Sequence, residues 1–323
     1  APGELMAAGL DPKAIEALVA ARRTIDLDDE LERVDRAGLR ALTREHPDYP
    51  ENLAHIPLAP PVIFVRGQLS QADAWAVAVV GTRSPTTYGR EAARRLAADL
   101  AGSGVTVVSG LAIGVDTLAH QAALDAGGRT LAVLPCGADM VYPERNRALA
   151  ERIAAAGALV SEFPLGTRPI PQFFPVRNRL ISGLARGVVV VEAGPESGAL
   201  ITVEYALDQG REVFAVPGSI FSRMSEGTNR LIRNGAGLVL AAQDILDALN
   251  MSRAASQQEV RAALPEDPTE AAVLALVSYE PQHADALARL LNLPIAQVSG
   301  TLAVLELKGL VRQAAAMQYV LAR

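Results

Sequence analysis

Ala76-Val-Ala-Val-Val-Gly-Thr-Arg83 sets the pattern that the middle of this chain repeats: a short apolar run, a turn of small residues, then a helix. The same order recurs at Val105–Val108 before Ser109-Gly-Leu-Ala112, at Thr130–Leu134 before Pro135-Cys-Gly137, and at Ala158–Val160 before Ser161-Glu162. It returns at Val188–Val191 before Glu192-Ala-Gly194 and at Glu212–Val216 before Pro217-Gly218. Helical stretches such as Arg90–Leu100 and Asn146–Ala155 fill most of the gaps. Strands without a polar face belong to a parallel sheet covered on both sides by helices. The pattern predicts an α/β fold built on an extended Rossmann-like, doubly wound parallel sheet.

Upstream, residues 1–42 read as a small helical module. Asp11 can cap a helix with Pro12 at its first position, and Ile15, Leu18 and Val19 share one face. Residues 41–76 form a Pro-rich transition with one short strand, Val62–Val65, and the sheet domain is placed at 43–250. Residues 251–268, rich in Gln, Ala and acids and closing on Pro265-Glu-Asp-Pro268, read as a linker. Residues 269–323 give three helices and an apolar hairpin, the pattern of a winged helix.

At 323 residues and 50% hydrophobic, the chain has enough apolar material for two or three ordered domains. No apolar run approaches the roughly 18 residues that cross a bilayer, and the N-terminus lacks a signal pattern, so a cytoplasmic protein is expected. Cys136 is the sole cysteine, which excludes an internal disulfide, and the four histidines are scattered. No metal and no cofactor are expected. The net charge of −6 hides an uneven distribution: residues 1–76 carry −5, residues 77–240 carry +2 and residues 241–323 carry −3. Every cation of the middle segment is arginine, which suits phosphate if the side chains converge.

Ligands of open parallel sheets bind where strand C-termini lead into helix N-termini. The strand exits here are rich in Gly and Ser, including Ser109, Gly110 and Gly218, although tight turns need such residues anyway. Neither GxxxxGK[ST] nor GxGxxG is present, which argues against an ATPase and an ordinary NAD enzyme. Arg83 instead puts a guanidinium at the first exit, suited to gripping phosphate oxygens or else to a surface ion pair.

The densest constellation is Pro171-Gln-Phe-Phe-Pro-Val-Arg-Asn-Arg-Leu-Ile-Ser-Gly183. Aromatic faces stack bases regardless of identity and arginines hold the backbone, so Phe173, Phe174, Arg177, Asn178, Arg179, Ser182 and Gly183 are candidate nucleic-acid contacts. One Phe of the pair also suits the core. Arg177 and Arg179 are expected at the surface or in an ion pair. Ser197, Gly198 and Thr202 can present amides and hydroxyls to phosphate, and Glu204 suits either catalysis or a helix surface. Asn229 and Arg230 open a further helix, partly explained by capping from Ser225.

Six segments, in order, resemble the DNA-processing protein A (DprA/Smf) family. They are Val-Gly-Thr-Arg83, Ser109-Gly-Leu-Ala-x-Gly-x-Asp116, Tyr142-Pro-x-x-Asn146, Phe174-Pro-x-Arg-Asn-Arg-x-Ile-Ser-Gly183, Ser197-Gly-x-Leu-x-Thr202 and Phe214-Ala-Val-Pro-Gly218. The resemblance implies a sterile-alpha-motif-like N-terminal module, the extended Rossmann domain and a C-terminal winged helix. It also implies binding of single-stranded DNA without sequence preference, a homodimer through the Rossmann domain, and loading of RecA on incoming DNA during transformation. Arg83 matches a basic residue implicated in DNA contact. The family often has a basic residue directly after Tyr-Pro, where this chain has Glu144; Arg145, beside Asn146, and Arg147 follow at once. The winged helix is a poor base reader, because Pro294–Leu307 carries no Arg or Lys before Lys308.

Two other functions compete with a DNA-binding protein that is not an enzyme. A nucleotide phosphoribohydrolase-like enzyme would use Ser197–Glu204, although its glycine run is reduced to Gly198. A transcription regulator would use residues 266–323, whose net acidity opposes duplex binding.

Overall fold

The computed structural model describes residues 2–7, 9–251, 267–278, 281–308, 310–315 and 317–321, and its contacts divide the chain into two compact units, Ala1–Leu249 and Asn250–Arg323. Residues 252–266, the greater part of the expected linker, lie outside the described residues.

The first unit opens with helices α1 (Pro2–Ala7), α2 (Pro12–Thr24) and α3 (Leu27–Arg36). The Asp11 carboxylate accepts from the Ala14 amide at 3.0 Å, the cap expected from sequence. On α2 only Ile15 is buried; Leu18 is exposed. Then follow β1 (Arg40–Thr43), α4 (Glu51–Ala54), β2 (Val62–Gly67), β3 (Ala76–Val80), α5 (Thr87–Gly102), β4 (Thr106–Ser109) and α6 (Val115–Asp125). The chain continues through β5 (Thr130–Val133), α7 (Arg147–Ala156), β6 (Ala158–Ser161), α8 (Phe173–Leu184), β7 (Gly187–Val190) and α9 (Ala199–Asp208). It ends the unit with β8 (Glu212–Ala215), α10 (Glu226–Arg233), β9 (Gly237–Leu238) and α11 (Ala242–Ala248).

The nine strands form one sheet in the order β1-β2-β6-β5-β4-β3-β7-β8-β9. The seven from β3 to β9 are parallel; β3 to β8 are the apolar runs of the sequence, all of β3 is buried, and β9 is a two-residue strand at the edge. Strand β2 pairs antiparallel with both β1 and β6, so the expected all-parallel sheet carries a two-stranded antiparallel edge. Alternate residues feed opposite cores. Leu131 and Val133 pack with Leu180 and Ile181 of α8 and Leu53 of α4, whereas Ala132 and Leu134 pack with Leu149 and Ile153 of α7. Helices therefore cover both faces, and the sheet is doubly wound.

From β3 the crossovers run outward through β4, β5 and β6; the chain then returns to β7 on the other side of β3 and proceeds to β8 and β9. The reversal between β3 and β7 is a topological switch point, where helix N-termini diverge and leave a crevice beyond the strand C-termini.

The second unit contains α12 (Pro268–Leu276), β10 (Gln282–His283), α13 (Ala284–Leu291), α14 (Ile295–Leu307), β11 (Val311–Ala315) and β12 (Gln318–Leu321). Its sheet has the order β10-β12-β11, and its core gathers Val273, Leu287, Val298, Leu302 and Tyr319. This is a winged helix. Lys308, the first cation after α14, pairs with Glu270 at 2.7 Å. Among the described residues no single helix is long and apolar enough to cross a membrane.

Candidate nucleic-acid interface

The crevice at the switch point is a cleft of 480 Å³ walled by the exits of β3 and β7 and the first turns of α8 and α9. Its position follows from local backbone requirements. Gly114, at φ 89°, lets the start of α6 lie directly on the β3 exit, since a Cβ there would sit 2.4 Å from the Thr82 carbonyl and 2.7 Å from Arg83 Cα. That close approach holds the Arg83 backbone at the cleft mouth. Seven of the residues singled out from sequence line this cleft: Arg83, Phe174, Arg177, Asn178, Ser197, Gly198 and Thr202.

Arg83 is exposed, and its guanidinium carbon lies 5.4 Å from the Phe174 ring centroid, a cation–π contact. Phe174 in turn meets Tyr142 edge-on at 5.6 Å between centroids. Both Phe174 and Phe173 are only partly buried, but Phe173 turns elsewhere and stacks on Phe163 at 4.3 Å. Phe174 is thus the ring available at the cleft. No ion pair involves Arg83 among the described residues.

Arg177 departs from the surface placement expected of it: it is 4% exposed. Its guanidinium donates to the Gly110 carbonyl at 2.7 Å and to the Val133 carbonyl, at the ends of β4 and β5. Burial pushes its pKa down to about 10, Asp116 opposes that shift, and the nearby Arg83 charge adds to it. Asp116 is buried beside it and accepts from the amides of Gly110 at 3.1 Å and Ala112 at 3.3 Å. Burial pushes the Asp116 carboxyl above the usual range, while Arg177 and those amides hold it down. A Cβ at Gly110 would lie 2.6 Å from the Arg177 guanidinium and 2.8 Å from the Asp116 carboxylate, so this pair needs glycine between them. Arg177 therefore shapes the cleft floor, with Asp116 beside it in the same wall.

Arg179 takes the ion pair that the sequence left open for it and stops short of full burial. Its guanidinium pairs with Glu162, both side chains being nearly buried, and it does not line the cleft. Several other candidates turn inward because their polar groups complete the fold. The Ser109 hydroxyl donates to the Val79 carbonyl at 2.7 Å. The Asn146 amide donates to the Leu111 carbonyl and the Thr117 hydroxyl, each at 2.9 Å. Ser182 is buried, and Gly183 is packed against Leu53 of α4 and Ile56 just after it. Gly218 and Asn229 bond each other, amide to side-chain oxygen at 3.1 Å and side-chain amide to carbonyl at 3.0 Å. Ser225 stands at the start of α10 but its side chain makes no cap bond. Glu204 is exposed on α9 and is not part of the cleft wall.

Two basins adjoin the cleft. One, of 730 Å³, shares Arg83 with it and adds Arg90, Arg94 and Arg145, with Asn146 in its wall. The other, of 540 Å³, shares Arg223 and adds Arg230 and Arg233 beside Phe221, which is 93% exposed. Arg90, Arg94, Arg223 and Arg233 are not among the residues singled out from sequence; the first two join the cleft edge through Arg83, and Arg223 itself joins Arg233 to it.

The family model for DNA recombination-mediator protein A matches residues 40–250, and that for the DprA winged helix domain matches residues 257–317. Protein Smf of Synechocystis is 38% identical over 347 residues, covering 96% of this chain and 87% of that protein. Among solved structures, DNA processing protein A of Streptococcus pneumoniae superposes with a TM-score of 0.68 at 39% identity, covering 74% of this chain and 83% of that one. The Helicobacter pylori DNA processing protein A, solved for its single-stranded DNA binding mode, gives 0.59 at 29% identity and covers 66% and 96%. The nine-stranded unit, the winged helix and relatives along nearly the whole length agree: this chain belongs to the DNA recombination-mediator protein A (DprA/Smf) family of DNA-processing proteins.

Proposed function

We propose that the switch-point cleft binds single-stranded DNA without sequence preference. The observation that carries this reading is the unpaired Arg83 guanidinium over Phe174 at the mouth of the cleft. A cation there takes a phosphate, and a half-exposed ring beside it takes the face of a base. Only an unstacked base offers its face, so a duplex meets the arginines but not the ring. Ser197 and Gly198, leading into α9, add a hydroxyl and amides for a phosphate. The protein acts as a binding protein in this reading, because the competing phosphoribohydrolase needs Glu204 in the cleft.

The role extends, on the family's pattern, to protecting incoming DNA in the cytoplasm, forming a homodimer through the Rossmann domain and helping to load RecA. The exposed Leu238 and Leu240, on and just beyond the edge strand β9, supply an apolar surface for self-association. Affinity for single-stranded and duplex oligonucleotides, measured against salt, tests the reading. We expect the single strand to bind more tightly, with an affinity that falls by about 0.7 logarithmic units per decade of salt for each phosphate held. Equal affinity for both forms overturns the strand preference, and a flat salt response overturns the phosphate contacts.

A further inference from the structure

We propose that the basin lined by Arg90, Arg94 and Arg145 is a second phosphate-binding station for the same strand, so that the DNA track leaves the cleft past Arg83 and crosses the start of α5. This rests on the reading of the cleft as a single-strand site. The station itself stands on a cluster of cations without an acid among them in a concave surface.

Arg90 and Arg94 stand one turn apart on the exposed face of α5, where like charges at this spacing destabilise a helix by a few tenths of a kcal/mol. Neither has a carboxylate within 4.0 Å among the described residues, nor has Arg145. Their neighbours behave differently. Arg95 pairs with Asp99 at 3.8 Å and Arg152 with Asp125 at 2.6 Å. Glu144, the acid nearest Arg145 in the chain, is taken by Arg147 through bonds of 2.6 and 2.9 Å. Asp99, Asp125 and Glu144 are thus engaged by other arginines; Glu91, exposed on α5 itself, pairs with none of the basin's arginines among the described residues and is not in the basin wall, which carries no carboxylate. Arg83 lines both cleft and basin, so a backbone leaving the cleft enters the basin without crossing an intervening acid. Gly114 and Thr117 form part of the wall and bring a strand close to the backbone.

The test uses the full chain and a ladder of oligothymidines from about 4 to about 16 nucleotides. In the unaltered protein, affinity rises with length and the salt dependence steepens. The double variant Arg90→Ala/Arg94→Ala is expected to bind the shortest strands as before. For the longest it loses affinity roughly tenfold, and its salt slope falls by about 1.4, two phosphates' worth. The Lys variants at both positions retain the slope, which separates charge from fold. The station is overturned if the double variant keeps the full gain with length. It is also overturned if short and long strands weaken equally, or if only duplex binding falls. The underlying reading fails separately, if the unaltered protein binds no strand of any length or if Arg83→Ala binds short strands unchanged.

Discussion

Arg83, Arg177 and Arg179 are alike in sequence and differ in what their guanidinium groups meet. Arg83 meets a ring and solvent, Arg177 meets two carbonyls at the strand ends, and Arg179 meets a carboxylate. Arg83→Ala is expected to weaken single-strand binding roughly tenfold, the value of one charge-assisted contact, with an unchanged melting temperature. Arg179→Ala acts the other way. It leaves the Glu162 carboxyl, already pushed up by burial, without its counter-charge, and should cost about 2 kcal/mol of stability in denaturant unfolding. A loss of DNA affinity without loss of stability in Arg179→Ala contradicts that assignment. The motif Phe174-Pro-Val-Arg-Asn-Arg179 was legible as a site, but not which arginine faces outward. That depends on the two strand-end carbonyls at Gly110 and Val133, far away in sequence.

At the scale of elements, the parallel strands β3 to β8 were legible as short apolar runs, and β3 shows why: every residue of it is buried; the two-residue β9, with neither residue buried, was not. Strand β1 was not, because Arg40-Ala-Leu-Thr43 has a single buried residue, Leu42, and takes its place only by pairing with β2. The α5 basin was equally hidden, since Arg90 and Arg94 lie about fifty residues before Arg145. Helix α5 itself is anchored from the adjacent strand exit. The buried Glu192 accepts from the Thr86 amide at 2.8 Å and hydroxyl at 2.6 Å, and the Thr86 oxygen accepts from Gly89 at 3.1 Å. Thr86→Ala removes the cap and one partner of a buried carboxylate, for an expected loss of about 1–2 kcal/mol. Because α5 carries the basin, the same variant should flatten the gain in affinity with strand length more than it affects short strands; the oligothymidine ladder reads both.

For the first unit as a whole, the buried His120 sets a pH dependence. Thr130 Oγ1 donates its hydrogen to the Val107 carbonyl, so His120 Nδ1, 2.7 Å away, must be the donor to Thr130. Nε2 then lacks a partner, and burial lowers the pKa to about 3. The unfolded chain, with an ordinary histidine near pH 6.5, binds the proton first as pH falls, so stability declines from about pH 6.5 downward toward pH 3. Between pH 6.5 and pH 5 this amounts to about 2 kcal/mol. Unfolding followed across that range should show the decline in the unaltered protein and a flatter profile in His120→Gln; identical profiles contradict the assignment.

One sheet edge, at the reversal between β3 and β7, is proposed to hold the strand. Photo-crosslinking a halogenated oligodeoxyuridine to the full chain and mapping the adducts tests it most directly. Adducts are expected at Phe174 in the cleft wall and at Tyr142 packed against it, and are lost in Arg83→Ala. Adducts confined to residues 267–321, with none in the cleft, would contradict it.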